Sequence, residues 1–347
     1  MWRRFLIIGA FTTALGLLSV QLAILAVDPL EISPIRLWSD KVLTDGNRRF
    51  MAPRIIRSGD YDSYIVGTST LHHVPPETLE RVLGGRFANV ATHGAMPYEQ
   101  RRVLDLIFRQ PAAPRVIVHG IDASWCTANM PRYHPQVPLP EWLYGESVLD
   151  QLAHSLNARL LFLVVRRFLV AVGLSEPALA PSGYHNDLQD AMWAKETVSQ
   201  RLWAGVDRST HVPDALVPSP AGAPGQYPEI EALGEILKGR TATKIILVMM
   251  PLHDAVLPAA GSDRAVRLSA CKGVLRSVAL AHGVTLIDYL HPSKLSQNEE
   301  NFWDHDHTRV GFADRLAADL AISETADSDP GGVWIKLAGP TNHVGQP

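Results

Sequence analysis

The chain opens on an unbroken apolar run. Phe5 to Val27 is 23 residues without a charge, and about 20 apolar residues suffice to cross a bilayer. Arg3 and Arg4 precede the run, and Asp28 and Glu31 follow it. That asymmetry predicts a single-pass helix in the cytoplasmic (inner) membrane, with its N-terminus inside and the rest in the periplasm or outside. A cleaved signal peptide competes with this reading, but its apolar region is usually shorter, and only a poor small-x-small site lies near Ala23 to Ala26. Residues 1–27 are therefore read as an uncleaved anchor through residues 5–27.

Beyond the anchor the pattern changes. Residues 28–59, with Pro29, Pro34 and Pro53 and a basic cluster at Arg48, Arg49 and Arg54, read as a linker. The cluster is either a solvated face or a contact for lipid headgroups. Short apolar runs then alternate with helical periodicity. Strands are predicted at Ser63–Val66, Arg86–Ala91 and Arg115–His119, and helices at Pro76–Leu83 and Tyr98–Arg109. After a gap the alternation resumes with a helix at Ile230–Lys238, a strand at Lys244–Met250, a helix at Asp263–His282, a strand at Val284–Tyr289 and a helix at Gly311–Ile322. Such an order predicts an α/β fold with a mostly parallel sheet and crossover helices. Functional loops in these sheets sit at the carboxyl ends of strands. Ser69, Gly94 and Asp122 all map there.

The middle is less regular. Ser155–Leu174 is apolar but interrupted by Arg159, Arg166 and Arg167, which argues for a packed or membrane-facing amphipathic helix rather than a second span. Leu188–Ala204 reads as another helix, and residues 205–228, with five prolines and three glycines, as a long surface loop. The tail from Ser323 is expected to be loosely held. The organisation is thus an anchor (1–27), a linker (28–59), an α/β domain (60–322) with an insertion at about 140–228, and a tail (323–347).

Composition narrows the function. Of 347 residues, 46% are hydrophobic, enough for a sizeable core beside the anchor. A net charge of −3 and a pI near 6.5 leave no basic footprint for nucleic acid. The two cysteines, Cys126 and Cys271, lie 145 positions apart. An exported domain permits a disulfide, but that spacing does not pair them, and two free buried thiols are at least as good a reading.

The candidate chemistry lies in two short motifs. Gly67-Thr68-Ser69-Thr70 follows the first strand. A serine in a strand-to-helix turn exposes its hydroxyl for nucleophilic attack, although residues 68–70 are also good helix caps. Asp304-His305-Asp306-His307 precedes the terminal helix. Asp304 can orient one imidazole nitrogen of His307 and leave the other to act as base. A two-residue shift would instead make His305 the base. The backbone N–H groups of Ser69 and Gly94 are candidate donors to an oxyanion. His93 can touch substrate or merely pack, and His253-Asp254 either lines the cleft or is an exposed loop. A zinc site drawn from His72, His73, His93, His253, His305 and His307 ranks below the serine reading, because no recognised ligand spacing is present. No cofactor or metal is expected.

These motifs resemble the SGNH (GDSL-like) hydrolase superfamily, over roughly residues 60–125 and 243–322. More narrowly, the chain resembles its membrane-anchored exported branch, which includes alginate O-acetylation and teichoic-acid D-alanylation proteins. Ile65-Val66-Gly67-Thr68-Ser69 matches the first block, Asn89 to Gly94 the second, and Asp304 to His307 the last. The third block departs: Asp122, in Gly120-Ile121-Asp122, stands where the family has an amide donor. An ionised carboxylate only accepts hydrogen bonds, so the hole has two donors or takes a third from elsewhere.

The resemblance implies a three-layer α/β/α, flavodoxin-like domain that forms an acyl-Ser69 intermediate. It also implies an esterase or O-acyltransferase acting on acyl, mainly acetyl, esters of a cell-envelope polysaccharide, with a membrane protein supplying the acyl donor. A non-catalytic scaffold or glycan-binding protein, a metal-dependent hydrolase and a lipid esterase are the alternatives.

Overall fold

The apolar runs pair into one sheet. The computed structural model describes residues 2–33, 37–38, 40–186, 192–220 and 226–339. Its strands are β1 (Ser63–Val66), β2 (Phe87–Asn89), β3 (Val116–Ile121), β4 (Lys244–Met249), β5 (Thr285–Asp288) and β6 (Ile335–Ala338). The helices run α1 (Trp2–Val27), α2 (Arg48–Arg57), α3 (Ser69–His72), α4 (Pro76–Leu83), α5 (Pro97–Phe108), α6 (Glu141–Tyr144) and α7 (Val148–Ser155). Then follow α8 (Ala158–Ala171), α9 (Lys195–Leu202), α10 (Pro228–Leu237), α11 (Asp263–His282), α12 (Lys294–Gln297) and α13 (Gly311–Ile322).

The described chain divides into two units. One comprises residues 60–138 and 184 onward, the other residues 1–59 and 139–183. In the first, the strand order is β2-β1-β3-β4-β5-β6. The first five are parallel, and β6 joins β5 antiparallel. β1 and β3 are buried along their whole length, as parallel strands covered on both faces must be, and their runs are accordingly apolar rather than alternating. Ile65, Val118, Ile246 and Ile287 of the strands share a core with Leu79 and Leu83 of α4 and Leu316 and Leu320 of α13. Strand order reverses direction between β1 and β3, and the carboxyl ends of those two strands therefore flank the crevice where such sheets take their ligands.

β6 lies in the segment expected to be a loose tail. Trp334 beside it is fully buried, and the strand completes the sheet edge. The tail expectation is corrected on that ground; residues 340–347 lie outside the described residues. The helix expected from Leu188 begins at Lys195, with 187–191 outside the described residues, as are 221–225 of the proline-rich loop.

In the other unit, residues 28–59 are not a simple linker. Asn47 caps α2 by accepting from the Arg49 N–H at 3.0 Å. The basic cluster is buried: Arg54 donates to the Asp40 carboxylate at 3.2 Å, and Arg167 of α8 reaches the same carboxylate at 2.9 Å. Burial opposes ionisation of Asp40, but the two guanidiniums outweigh it and hold its carboxyl below the ordinary range. Arg48, Arg49 and Arg54 are thus tied into this unit and form no solvated face. The segment 139–183, read as part of an insertion in the α/β domain, belongs here. Tyr144 donates its hydroxyl to the Arg49 carbonyl at 2.9 Å, and Arg57 donates to the Leu143 carbonyl at 2.7 Å.

Cys126 and Cys271 form a disulfide across 145 positions, against the reading of two free thiols. It joins the turn after β3 to α11 within the sheet unit. Closing so long a loop removes chain entropy from the unfolded state, so the double substitution Cys126→Ser, Cys271→Ser should lower stability by about 3–4 kcal/mol. Thermal melts of the two proteins, with and without reductant, measure this. Equal melting temperatures would refute it.

Candidate active site

Ser69 is positioned by a turn that the sequence builds from small residues. Gly67 follows β1 with φ +152, a conformation that favours glycine, and a side chain there would just touch the Gly120 backbone at 3.4 Å. Thr68 is extended, and Ser69 starts the single helical turn of α3. Asn89, buried at the end of β2, holds that turn. Its amide donates to the carbonyls of Leu71 (2.9 Å), His72 (3.1 Å) and Val74 (2.9 Å). The Thr92 N–H donates to the Gly67 carbonyl at 2.9 Å, which lays the loop after β2 alongside the turn.

The second half of the site comes from the far end of the chain. Residues 302–308 form a tight loop closed by the Trp303 N–H to His307 carbonyl bond at 2.8 Å. Asp304 Oδ1 accepts the backbone N–H of His307 at 2.9 Å and of Asp306 at 3.2 Å. The same carboxylate lies 2.8 Å from His307 Nδ1, and His307 Nε2 lies 2.8 Å from Ser69 Oγ. One carboxylate therefore shapes the loop and orients the ring. His305 is turned away: its Nε2 bonds the Leu202 carbonyl at 3.0 Å, so of the two histidines it is His307 that reaches Ser69. Around the loop, Trp193 donates to the Phe302 carbonyl at 2.9 Å and Arg201 to the Trp303 carbonyl at 3.2 Å.

Charge is uneven about the imidazole. Burial opposes the protonated ring of His307, but hydrogen bonds and charge from Asp304 and Asp306 outweigh it and raise its pKa well above the ordinary 6.5. Burial likewise opposes the Asp304 anion, and the bond from His307 overcomes it, holding that carboxyl well below its usual range. Asp306 Oδ1 is 3.2 Å from His307 Nδ1, a second carboxylate at one nitrogen.

The other expected residues divide. Gly94 has φ +54, which favours glycine, and a side chain there would displace the His134 ring, 2.9 Å away. His93 is exposed, with its ring 4.0 Å from that of His72. His253, expected to line the cleft or lie in an exposed loop, is instead buried in the loop after β4. It is fully buried between Trp203 and Phe302, at 5.4 and 5.5 Å, and its Nδ1 accepts from the Ala255 N–H. Asp122 caps the turn after β3, with Oδ1 accepting from the Ser124 N–H at 2.8 Å and from the Ser124 hydroxyl. Burial and the charge of Asp306 raise its pKa, while bonds from Ser124 and Thr68 work the other way.

The proposed histidine cluster for zinc does not assemble. Among the described residues, the donors that converge are Asp304, Asp306 and His307, within 4.8 Å of one another. Asn89 is the residue sequence reasoning missed as a positioning group. Its signal was an amide at a strand end beside two turn-forming segments. Comparison of the chain with protein-family models and with curated proteins returns no match.

A base must be neutral to take a proton. Any activity that needs His307 as base should therefore rise with pH on an acid limb above pH 6.5. Asp306 is half exposed and partly screened, so Asp306→Asn should move that limb down by about 1 unit. The pH profile of kcat/KM for the two proteins is the measurement, and an unmoved limb would count against the electrostatic account.

Proposed function

We propose that this chain is an SGNH-like serine esterase or O-acyltransferase, with a three-layer α/β/α domain held on the outer side of the cytoplasmic membrane by α1. The observation that carries this reading is the continuous relay Ser69 Oγ, His307 Nε2, His307 Nδ1 and Asp304, with both ring nitrogens at 2.8 Å from their partners. It is what nucleophile, base and orienter require.

In this reading Ser69 Oγ attacks the ester carbonyl while His307 takes its proton. The tetrahedral oxyanion lies against the backbone N–H groups of Ser69 and Gly94. Collapse breaks the bond to the leaving alkoxide, which receives the proton from His307, and the acyl group stays on Ser69. Water or an acceptor sugar hydroxyl then gives its proton to His307 and attacks the acyl carbonyl, and collapse breaks the bond to Ser69 Oγ, which takes that proton back from His307. The substrate class is an acyl, foremost acetyl, ester of an envelope polysaccharide, and a membrane protein is the proposed source of acyl groups in transfer.

Asp122 favours a second reading. With its carboxylate engaged by Ser124 it acts as an acceptor, which supplies nothing to an oxyanion. A scaffold or glycan-binding role follows if two donors are too few.

Hydrolysis of p-nitrophenyl acetate by the whole protein in detergent tests the first reading. Ser69→Ala and His307→Ala should each lower kcat by about 1,000-fold or more with the fold intact by circular dichroism. A fluorophosphonate probe should label wild type and spare Ser69→Ala. Activity unchanged in Ser69→Ala would refute the nucleophile. Wild type inert to both reagents would favour the scaffold.

A further inference from the structure

The unit built from residues 1–59 and 139–183 carries a helix turned the wrong way for water. α8 buries Leu160, Leu163 and Arg167. Leu161, Phe162, Val165, Phe168, Val172 and Leu174 face outward, between 39% and 75% exposed. All three arginines of the helix are drawn off that face. Arg159 pairs with Asp45, Arg167 with Asp40, and Arg166 donates to the Glu176 carbonyl at 3.3 Å. A helix on an aqueous surface shows the opposite arrangement, polar out and apolar in.

Its place along α1 says what covers it. Residues 2–19 of α1 are exposed on every side, a length of about 27 Å at 1.5 Å per residue, against a hydrocarbon core of ~30 Å. Packing begins just beyond. Gln21 of α1 donates to Ser155 Oγ at 2.5 Å, and Arg167 caps the end of α1 through the Val27 and Asp28 carbonyls at 2.9 and 3.1 Å. α7 and α8, bent by 80° at their junction, therefore gather at the level where the bare length of α1 ends. The 14 residues of α8 reach only about 21 Å, too short to cross.

We infer that the apolar face of α8 beds in the headgroup–acyl boundary of the outer leaflet, continuous with the lipid around α1. This rests on α1 spanning the bilayer. The arginines on its protein side fix the helix to the fold while the phenylalanines enter lipid, the division of faces an interfacial helix needs. Partitioning of Phe162 and Phe168 ties this unit to the surface at a second point and restricts its rotation about α1.

The test uses the full chain in phosphatidylcholine vesicles, with an environment-sensitive fluorophore on Phe162→Cys or Phe168→Cys. Leu15→Cys in α1 and Lys238→Cys, an exposed site in the sheet unit, serve as references. The expected result is blue-shifted emission at 162 and 168, lost on adding doxyl-labelled phosphatidylcholine and resistant to iodide. Iodide quenching equal to that at 238 would overturn the inference. Resistance to both quenchers would also overturn it, since protein, such as a second copy of this chain, would then cover the face. Absence of lipid quenching at 15 would refute the span itself, separately from any esterase result.

Discussion

Parallel pairing of β1, β3, β4 and β5 is the constraint on which the candidate site depends. Parallel strands share one direction, so all their carboxyl ends fall along one edge of the sheet. Ser69 leaves that edge after β1, Asp122 after β3, and the loop carrying His253 after β4. The loop bearing His307 is held to the same edge by the His253 N–H to His305 carbonyl bond at 2.9 Å. A serine and a histidine 238 positions apart thereby come within hydrogen-bond distance. Ladder hydrogen bonds and buried Ile and Val side chains fix the geometry, and the loops need only be short and well capped.

Capping is where the chemistry and the fold share atoms. Asp304 accepts two backbone N–H groups and the imidazole with one carboxylate. Neutralising it would loosen the loop as well as misdirect the ring, so orientation and local folding are one property here. Asp306 contributes charge without that backbone role, which separates its electrostatic effect from the structural one. Asn89 does for the serine turn what Asp304 does for the histidine loop: the carbonyls of Leu71, His72 and Val74 converge on its amide, the first of them also taking the Val74 N–H. Each would be costly to leave bare in a buried setting.

Much of this was legible in the sequence, for definite reasons. Ser63–Val66, Pro76–Leu83, Asp263–His282 and Gly311–Ile322 appear with the predicted bounds, because apolar period, proline and cap residues agree at those ends. The Ser69, Asp304 and His307 positions were legible because each lies in a turn next to a periodic segment. What stayed hidden depends on contacts between distant segments. Cys126 and Cys271 meet only once β3 and α11 are packed. Nothing local marks Ile335–Ala338 as a strand, since its partner is β5. The burial of His253 depends on Trp203 and Phe302, and that of Arg54 on Asp40, each supplied by a different stretch of chain.

Arg167 also bears on how the protein is made. Its partners at the end of α1 precede it by 139 and 140 positions. At ribosomal rates of about 5–20 residues per second, α1 emerges roughly 10–30 s before the side chain that caps it. During that interval the last carbonyls of the helix wait without their guanidinium, and the Asp40 carboxylate has only Arg54. Synthesis therefore begins with a bare apolar helix, and the discontinuous unit around it closes only after the first three strands of the sheet have been synthesised.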